Sequence, residues 1–252
     1  MTDWRLPLLR WAQARRERRA THTVLVLGDS HVRVFEHWWF LWAMPRVRWH
    51  IDYVPGGTAT GLPNPQSQTQ AASRFLAALQ SVPHDAVVLN LGEVDTGYTI
   101  WAIAARETQE ARQAQDAQAP QRLMAQAADR YIAFITALAA HHRLLVVSAP
   151  LPTLPDDFEP ADTVGTTRKA LPHPQAERTA LTLAFNDRVA AACAALGVPY
   201  LDDRAASLGP DGLVSPAWQR RDRADHHYHR GTYARWLARA LGPHLQALPP
   251  SP

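Results

Sequence analysis

The chain has 252 residues, 46% of them hydrophobic, with nine Trp and a formal net charge of +3. That composition is globular, and no window approaches the roughly 18–20 uninterrupted apolar residues that a membrane span needs. Cys193 is the single cysteine, which excludes an intrachain disulfide and a cysteine-built zinc site.

The first 23 residues carry six Arg against Asp3 and Glu17, so the basicity is local and the remaining chain is about neutral. They contain no apolar h-region, so a secretory signal is not expected and the cytoplasm is the default location. Trp4, Leu8 and Trp11 fall at helical spacing ahead of Arg15, Arg16, Arg18 and Arg19. Residues 1–22 therefore read as a basic N-terminal arm or helix, either solvated or packed on the domain, or else touching a membrane surface or a partner. No basic stripe with interleaved aromatics recurs further on, so nucleic acid is not an expected partner.

Beyond the arm, short apolar runs alternate with helical segments, the pattern of βαβ units that build a mostly parallel sheet, and residues 23–248 read as one domain. The first run, 23–27, has Val24, Leu25, Val26 and Leu27 in unbroken sequence, as in a central strand buried on both faces. Residues 31–42 predict an aromatic-rich helix or helical turn. In 47–54 the apolar Val47, Trp49, Ile51 and Tyr53 alternate with Arg48, His50 and Asp52, which predicts a half-exposed strand nearer the sheet edge.

A helix over 67–80, a buried strand over 86–91, a helix over 122–140 and a strand over 144–148 follow. Then come a helix over 177–196, stopped by Gly197 as a left-handed cap, a fifth strand over 198–201 and a closing helix over 231–248. Residues 108–121, rich in Gln and Ala, predict either a surface helix or an insertion. Residues 149–174, rich in Pro, predict a long loop of the kind that often forms a lid or binding segment.

Chemistry concentrates where strands end. Ser30 follows the first buried strand directly, and ligands of open parallel sheets bind beyond the carboxyl ends of strands. A nucleophilic serine fits that place, although Asp29 or Ser30 capping the next helix is an equally ordinary use. A serine hydroxyl needs a base to take its proton and a carboxylate to orient that base. Asp225, His226, His227, Tyr228 and His229, just before the closing helix, offer both. The same His cluster with Asp222 and Asp225 would also suit zinc or nickel. Gly56 and Gly57 after the second strand, and Gly92, Glu93, Val94 and Asp95 after the third, fall at the same sheet edge. Glu93 and Asp95 are candidates for holding a cation or sugar hydroxyls, with loop bracing the preferred role for Asp95.

These residues resemble the SGNH hydrolases, also called GDSL esterases and lipases. The resemblance spans most of the chain and implies a three-layer α/β/α, flavodoxin-like fold with a central five-stranded sheet and no cofactor. Gly28, Asp29 and Ser30 resemble the first family block, which carries the nucleophile and its oxyanion-binding N–H. Gly57, ahead of Gly56, resembles the second-block glycine, also an oxyanion donor. Gly92 to Asp95 resemble the third block and the segment from Asp225 the last. The implied triad is Ser30, His227 and Asp225, with His226 and then His229 as substitutes for the base. Gly57, Gly92, Glu93, Asp95 and His226 are the implied oxyanion or substrate-binding residues.

Two positions depart from the family pattern. Val94 stands where the third block has an Asn that donates to the oxyanion, and Asp225 precedes His227 by two residues instead of three. The resemblance implies an esterase for O-acyl, preferably O-acetyl, groups on a carbohydrate or small molecule. A non-catalytic glycan-binding or scaffold protein, and a metal-dependent hydrolase, are the alternatives.

Overall fold

The computed structural model describes residues 20–111, 116–160, 163–170 and 173–246. Most of the basic arm, 1–19, lies outside them, as do 112–115 of the Gln/Ala-rich segment. Five strands form one sheet: β1 (His22–Gly28), β2 (Val47–Tyr53), β3 (Ala86–Asn90), β4 (Leu144–Val147) and β5 (Tyr200–Leu201). Their order is β2-β1-β3-β4-β5, and every pairing is parallel. All five strands fall where the apolar runs predict them. β1 is interior and buried from Val24 onward, whereas β2, with its alternating pattern, is an edge.

Alternation along the strands divides the core in two. Leu25, Leu27, Val87, Leu89 and Val146 face one side and pack with helices α2 (Ala71–Ser81), α3 (Ile100–Ala111), α4 (Ala119–Ala139) and α6 (Gln175–Leu196). Val24, Val26, Val88, Leu145 and Val147 face the other, against a 3₁₀ helix (Ser30–Glu36), the short helix α1 (Trp38–Ala43) and the closing helix α7 (Arg230–Gln246). Helices thus cover both faces, which makes three layers.

After β1 the chain crosses outward to β2, and after β2 it crosses back over β1 to β3. The reversal leaves a crevice beyond the carboxyl ends of β1 and β3, where Gly28 pairs with both Tyr53 and Asn90. The backbones are tight there. A Cβ on Gly28 would lie 2.3 Å from the Asn90 carbonyl oxygen and 2.5 Å from Val32 Cγ1, so only glycine fits. At the far end of α6 Gly197 takes the left-handed conformation, with φ +66, and closes the helix as predicted.

Three segments differ from the sequence expectation. The aromatic-rich segment is a 3₁₀ helix followed by α1, divided at His37, whose extended backbone caps α1 through its side chain. Helix α3 follows a π-helical turn (Asp95–Thr99); its last residues, 108–111, fall in the segment where a surface helix is one expectation, but residues 100–107 are not predicted helical, and among them Ile100 and Trp101 are buried in the core. The Pro-rich segment carries a short helix, α5 (Thr163–Lys169), with residues 161–162 and 171–172 outside the described part. Among the described residues no helix is long and apolar enough to cross a membrane.

Candidate active site

Asp29 decides what Ser30 is free to do. Asp29 is the N-cap of the 3₁₀ helix, and its Oδ1 accepts the His31 N–H at 2.8 Å. Capping therefore falls to Asp29, and the Ser30 hydroxyl is left for another partner. That partner is His227: its Nε2 lies 2.9 Å from Ser30 Oγ, across 197 residues of sequence. The His227 Nδ1 lies 2.7 Å from Asp225 Oδ1, and the same oxygen accepts the His227 backbone N–H at 2.9 Å. Ser30, His227 and Asp225 thus form one continuous line from hydroxyl to carboxylate, and all three are partly buried.

The electrostatics suit a neutral base held by a charged carboxylate. Burial pushes His227 below the ordinary imidazole value, against the pull of its bond to Asp225. Burial also acts to raise Asp225, but the bonds from His227 and the charge of Arg220 outweigh it and hold the carboxyl at about 2. Arg220 contacts the second carboxylate oxygen, Oδ2. A cavity of about 300 Å³ opens beside the serine, lined by Ser30, His227, Arg33, Arg220, Arg230 and Tyr233. A larger cavity, about 740 Å³, lies at the opposite end of the sheet around His22, Met44 and Arg46. Among its described lining residues there is no serine, threonine or cysteine, and those residues are remote from this chemistry.

Beside this line stands a second dyad of the same construction. Asp29 Oδ1 accepts the His31 N–H and also lies 2.9 Å from His31 Nδ1, so both dyads are Asp-X-His turns closed by one carboxylate oxygen. The two rings are 4.6 Å apart. His31, however, is buried, and its Nε2 lies 3.9 Å from Glu93 Oε2. Burial acts to neutralise His31, but Asp29 first and then Glu93 outweigh it and lift the imidazole to about 9. Glu93 is itself fully buried and clamped by Arg168 of α5, through Nη1 at 2.7 Å and Nη2 at 2.8 Å. Burial opposes charge on Glu93, but the guanidinium prevails and holds the carboxyl far below its ordinary range.

Several sequence expectations change here. Glu93 cannot contact a substrate, because both its oxygens are occupied by Arg168 in the protein interior. Asp95 is also buried and accepts the Ala59 and Thr60 N–H groups at 2.8 and 2.9 Å, so it braces the loop after β2, the role preferred for it over binding a cation or sugar hydroxyls. Burial lifts that carboxyl to about 6 in spite of these bonds. The Gly57 N–H, expected to face an oxyanion, donates to the Val54 carbonyl at 2.9 Å and closes the turn. Gly92 is buried at the end of β3, where its carbonyl accepts from both the backbone and the hydroxyl of Thr96. His226 is partly buried beside His227, with ring centroids 4.0 Å apart, and burial lowers it to about 3. His229 is exposed and caps the start of α7 through Thr232, away from the serine. Asp222 is exposed and accepts the Ala224 N–H.

Arg168, Arg220 and the role of His31 escaped the sequence reading. Arg168 is 75 residues from Glu93, on a short helix within the Pro-rich segment that sequence alone predicts as a loop, so nothing local signals it. The His31 dyad did carry a signal: Asp29 to His31 repeats the spacing of Asp225 to His227.

No family model matches the sequence, and no curated protein matches it significantly. Solved structures do match in three dimensions. A GDSL-like lipase from Bacteroides thetaiotaomicron is 13% identical, with 94% of this chain and 97% of that one covered and a TM-score of 0.53. An aryl esterase from M. smegmatis is 15% identical, with coverage of 90% and 100% and a TM-score of 0.54. The carbohydrate acetylesterase Est24 from Sinorhizobium meliloti is 14% identical, with coverage of 90% and 99% and a TM-score of 0.53. The fold is that of the SGNH/GDSL hydrolases.

Proposed function

We propose that this chain is a serine esterase that removes O-acyl, preferably O-acetyl, groups from a carbohydrate or small molecule. The observation that carries the proposal is the unbroken line from Ser30 Oγ through His227 to Asp225, at 2.9 and 2.7 Å. In this reading Ser30 Oγ attacks the ester carbonyl while His227 Nε2 takes its proton. Asp225 keeps the ring in the required tautomer and stabilises the imidazolium that forms. The proton then passes to the departing alcohol, leaving an acyl-serine. Water activated by the same imidazole releases the acid, and an alcohol in its place would make the reaction an acyl transfer.

The neighbours' printed activities, aryl esterase, lipase and carbohydrate acetylesterase, agree in reaction class. The preference for a polar, carbohydrate-like substrate rests on Arg33, Arg220 and Arg230, which line the cavity of about 300 Å³ beside Ser30. Cytoplasmic residence belongs to the same proposal and rests on the single, buried Cys193. The test is hydrolysis of acetyl and longer p-nitrophenyl esters by wild type and Ser30→Ala. Activity confined to the wild type supports the assignment, and equal activity in both refutes it.

One observation favours a second reading, a glycan-binding protein without catalysis. Val94 cannot donate to an oxyanion and the Gly57 N–H is committed to Val54, so two expected donors are missing. Loss of one such donor costs on the order of 10²- to 10³-fold in rate. A fluorophosphonate probe separates the readings: labelling of Ser30 favours the esterase, whereas no labelling with retained oligosaccharide binding favours the second.

A further inference from the structure

We propose that the paired dyads form a transition-metal site, and that a zinc ion bound there shuts the proposed esterase off. One ring nitrogen from each of His31, His226 and His227 lies within 4.8 Å of the other two. In both His31 and His227 the Nδ1 atom is held by a carboxylate, at 2.9 and 2.7 Å, so Nε2 is the atom each can offer a metal, in exchange for its contact with the His226 carbonyl at 3.4 Å and with Ser30 Oγ at 2.9 Å respectively. Carboxylate-oriented imidazole is the arrangement by which proteins fix zinc-binding histidines, and here it occurs twice in rings 4.6 Å apart. His226, its ring 4.0 Å from that of His227 and 5.5 Å from that of His31, completes the trio.

Zinc–nitrogen bonds of about 2.0–2.1 Å require ligand nitrogens roughly 3.4 Å apart in a tetrahedron. The separations within the trio must therefore contract by at most about 1.4 Å for the ion to bind. The donor set is all imidazole, which favours zinc, copper or nickel over magnesium or calcium.

Asp29, Glu93 and Asp225 surround the cluster against Arg168 and Arg220, so the surroundings carry one net negative charge once His31 has given up its proton. Asp29 Oδ2 is buried without a hydrogen-bond partner, so that carboxylate is only half compensated.

Binding has a direct chemical consequence, which rests on the triad reading above. The lone pair on His227 Nε2 that would accept the Ser30 proton becomes the metal bond, so the imidazole cannot act as base. Any proton on His31 Nε2 leaves for solvent as the ion enters. The fourth position falls to water or to Ser30 Oγ, which lies 2.9 Å from His227 Nε2.

The experiment uses the full chain, freed of any affinity tag. Zn²⁺ binding is followed by calorimetry and Co²⁺ binding by its visible spectrum, with wild type, His226→Gln, His31→Gln, Asp29→Asn and Ser30→Ala. Circular dichroism of each variant establishes that it is folded. We expect one high-affinity ion per wild-type chain, a tetrahedral cobalt spectrum and loss of that site in His226→Gln and His31→Gln. Affinity should fall about 10- to 100-fold in Asp29→Asn, which removes only a supporting carboxylate. Ser30→Ala should keep the site. Where the wild type hydrolyses ester, Zn²⁺ should abolish hydrolysis and EDTA restore it. No zinc binding by the wild type, or undiminished binding by a folded His226→Gln variant, overturns the proposal. Binding in Ser30→Ala is read without any esterase assay, so failure of the esterase reading leaves this test intact.

Discussion

Asp29–Ser30–His31 and Asp225–His226–His227 are the same local device, an aspartate whose one oxygen holds both the backbone and the ring of the histidine two residues on. Their surroundings separate them. The second dyad borders a cavity, and its ring is pushed toward neutrality, with a free lone pair for a hydroxyl. The first is sealed beside Glu93 and is pushed toward the imidazolium. Identical covalent chemistry thus leaves one imidazole pushed toward neutrality and the other toward the cation, and the two differ in which charges each ring meets.

Replacing the elements of each dyad breaks or sharpens this contrast. The largest effect is expected at the exposed side: Ser30→Ala or His227→Ala should lower kcat for an ester substrate on the order of 10⁶-fold, by analogy with the subtilisin triad. Asp225→Asn should cost on the order of 10⁴-fold in kcat. At the buried side the order is reversed, with stability suffering first. Glu93→Gln leaves the Arg168 guanidinium buried without its counter-charge and should destabilise the fold by about 3–5 kcal/mol, read by urea titration. Asp29→Asn should cost about 1–3 kcal/mol in the same measurement, since His31 loses its nearest negative charge.

The smallest effects are those of pH, and their signs differ between the dyads. His227 is lowered from 6.5, so kcat/KM should rise along a limb whose midpoint lies below that value. His31 is raised from 6.5 to about 9, so its stabilisation is complete below 6.5 and is lost as pH climbs through 9. Asp225 is lowered from 3.8 to about 2, so its contribution is present above 3.8 and disappears as pH falls through 2. A melting temperature that rises steadily above pH 9 would contradict the charged state of His31.

The sequence exposed this contrast only in part. The strands were legible because β1, β3 and β4 are unbroken apolar runs and β2 alternates, patterns imposed by full and half burial. Ser30 and the Asp225–His227 pair were legible because their residue types stand at a strand end and before a helix. Burial and partner choice were not. Nothing in the letters distinguishes the sealed Asp29–His31 turn from the accessible one, nor shows that Arg168 crosses from the Pro-rich segment to occupy Glu93. The Gly57 N–H was assigned outward because glycine permits close approach, but the turn at Val54 claims that donor.

The closeness of Gly28 to the Asn90 carbonyl has a consequence for variant libraries. Screened only for ester hydrolysis, every substitution at Gly28 would score as dead, and the position would pass for catalytic. Scored in parallel for soluble yield, it should separate cleanly from Ser30 and His227. Gly28 variants should be depleted from the soluble pool, whereas Ser30→Ala should accumulate normally and stay silent.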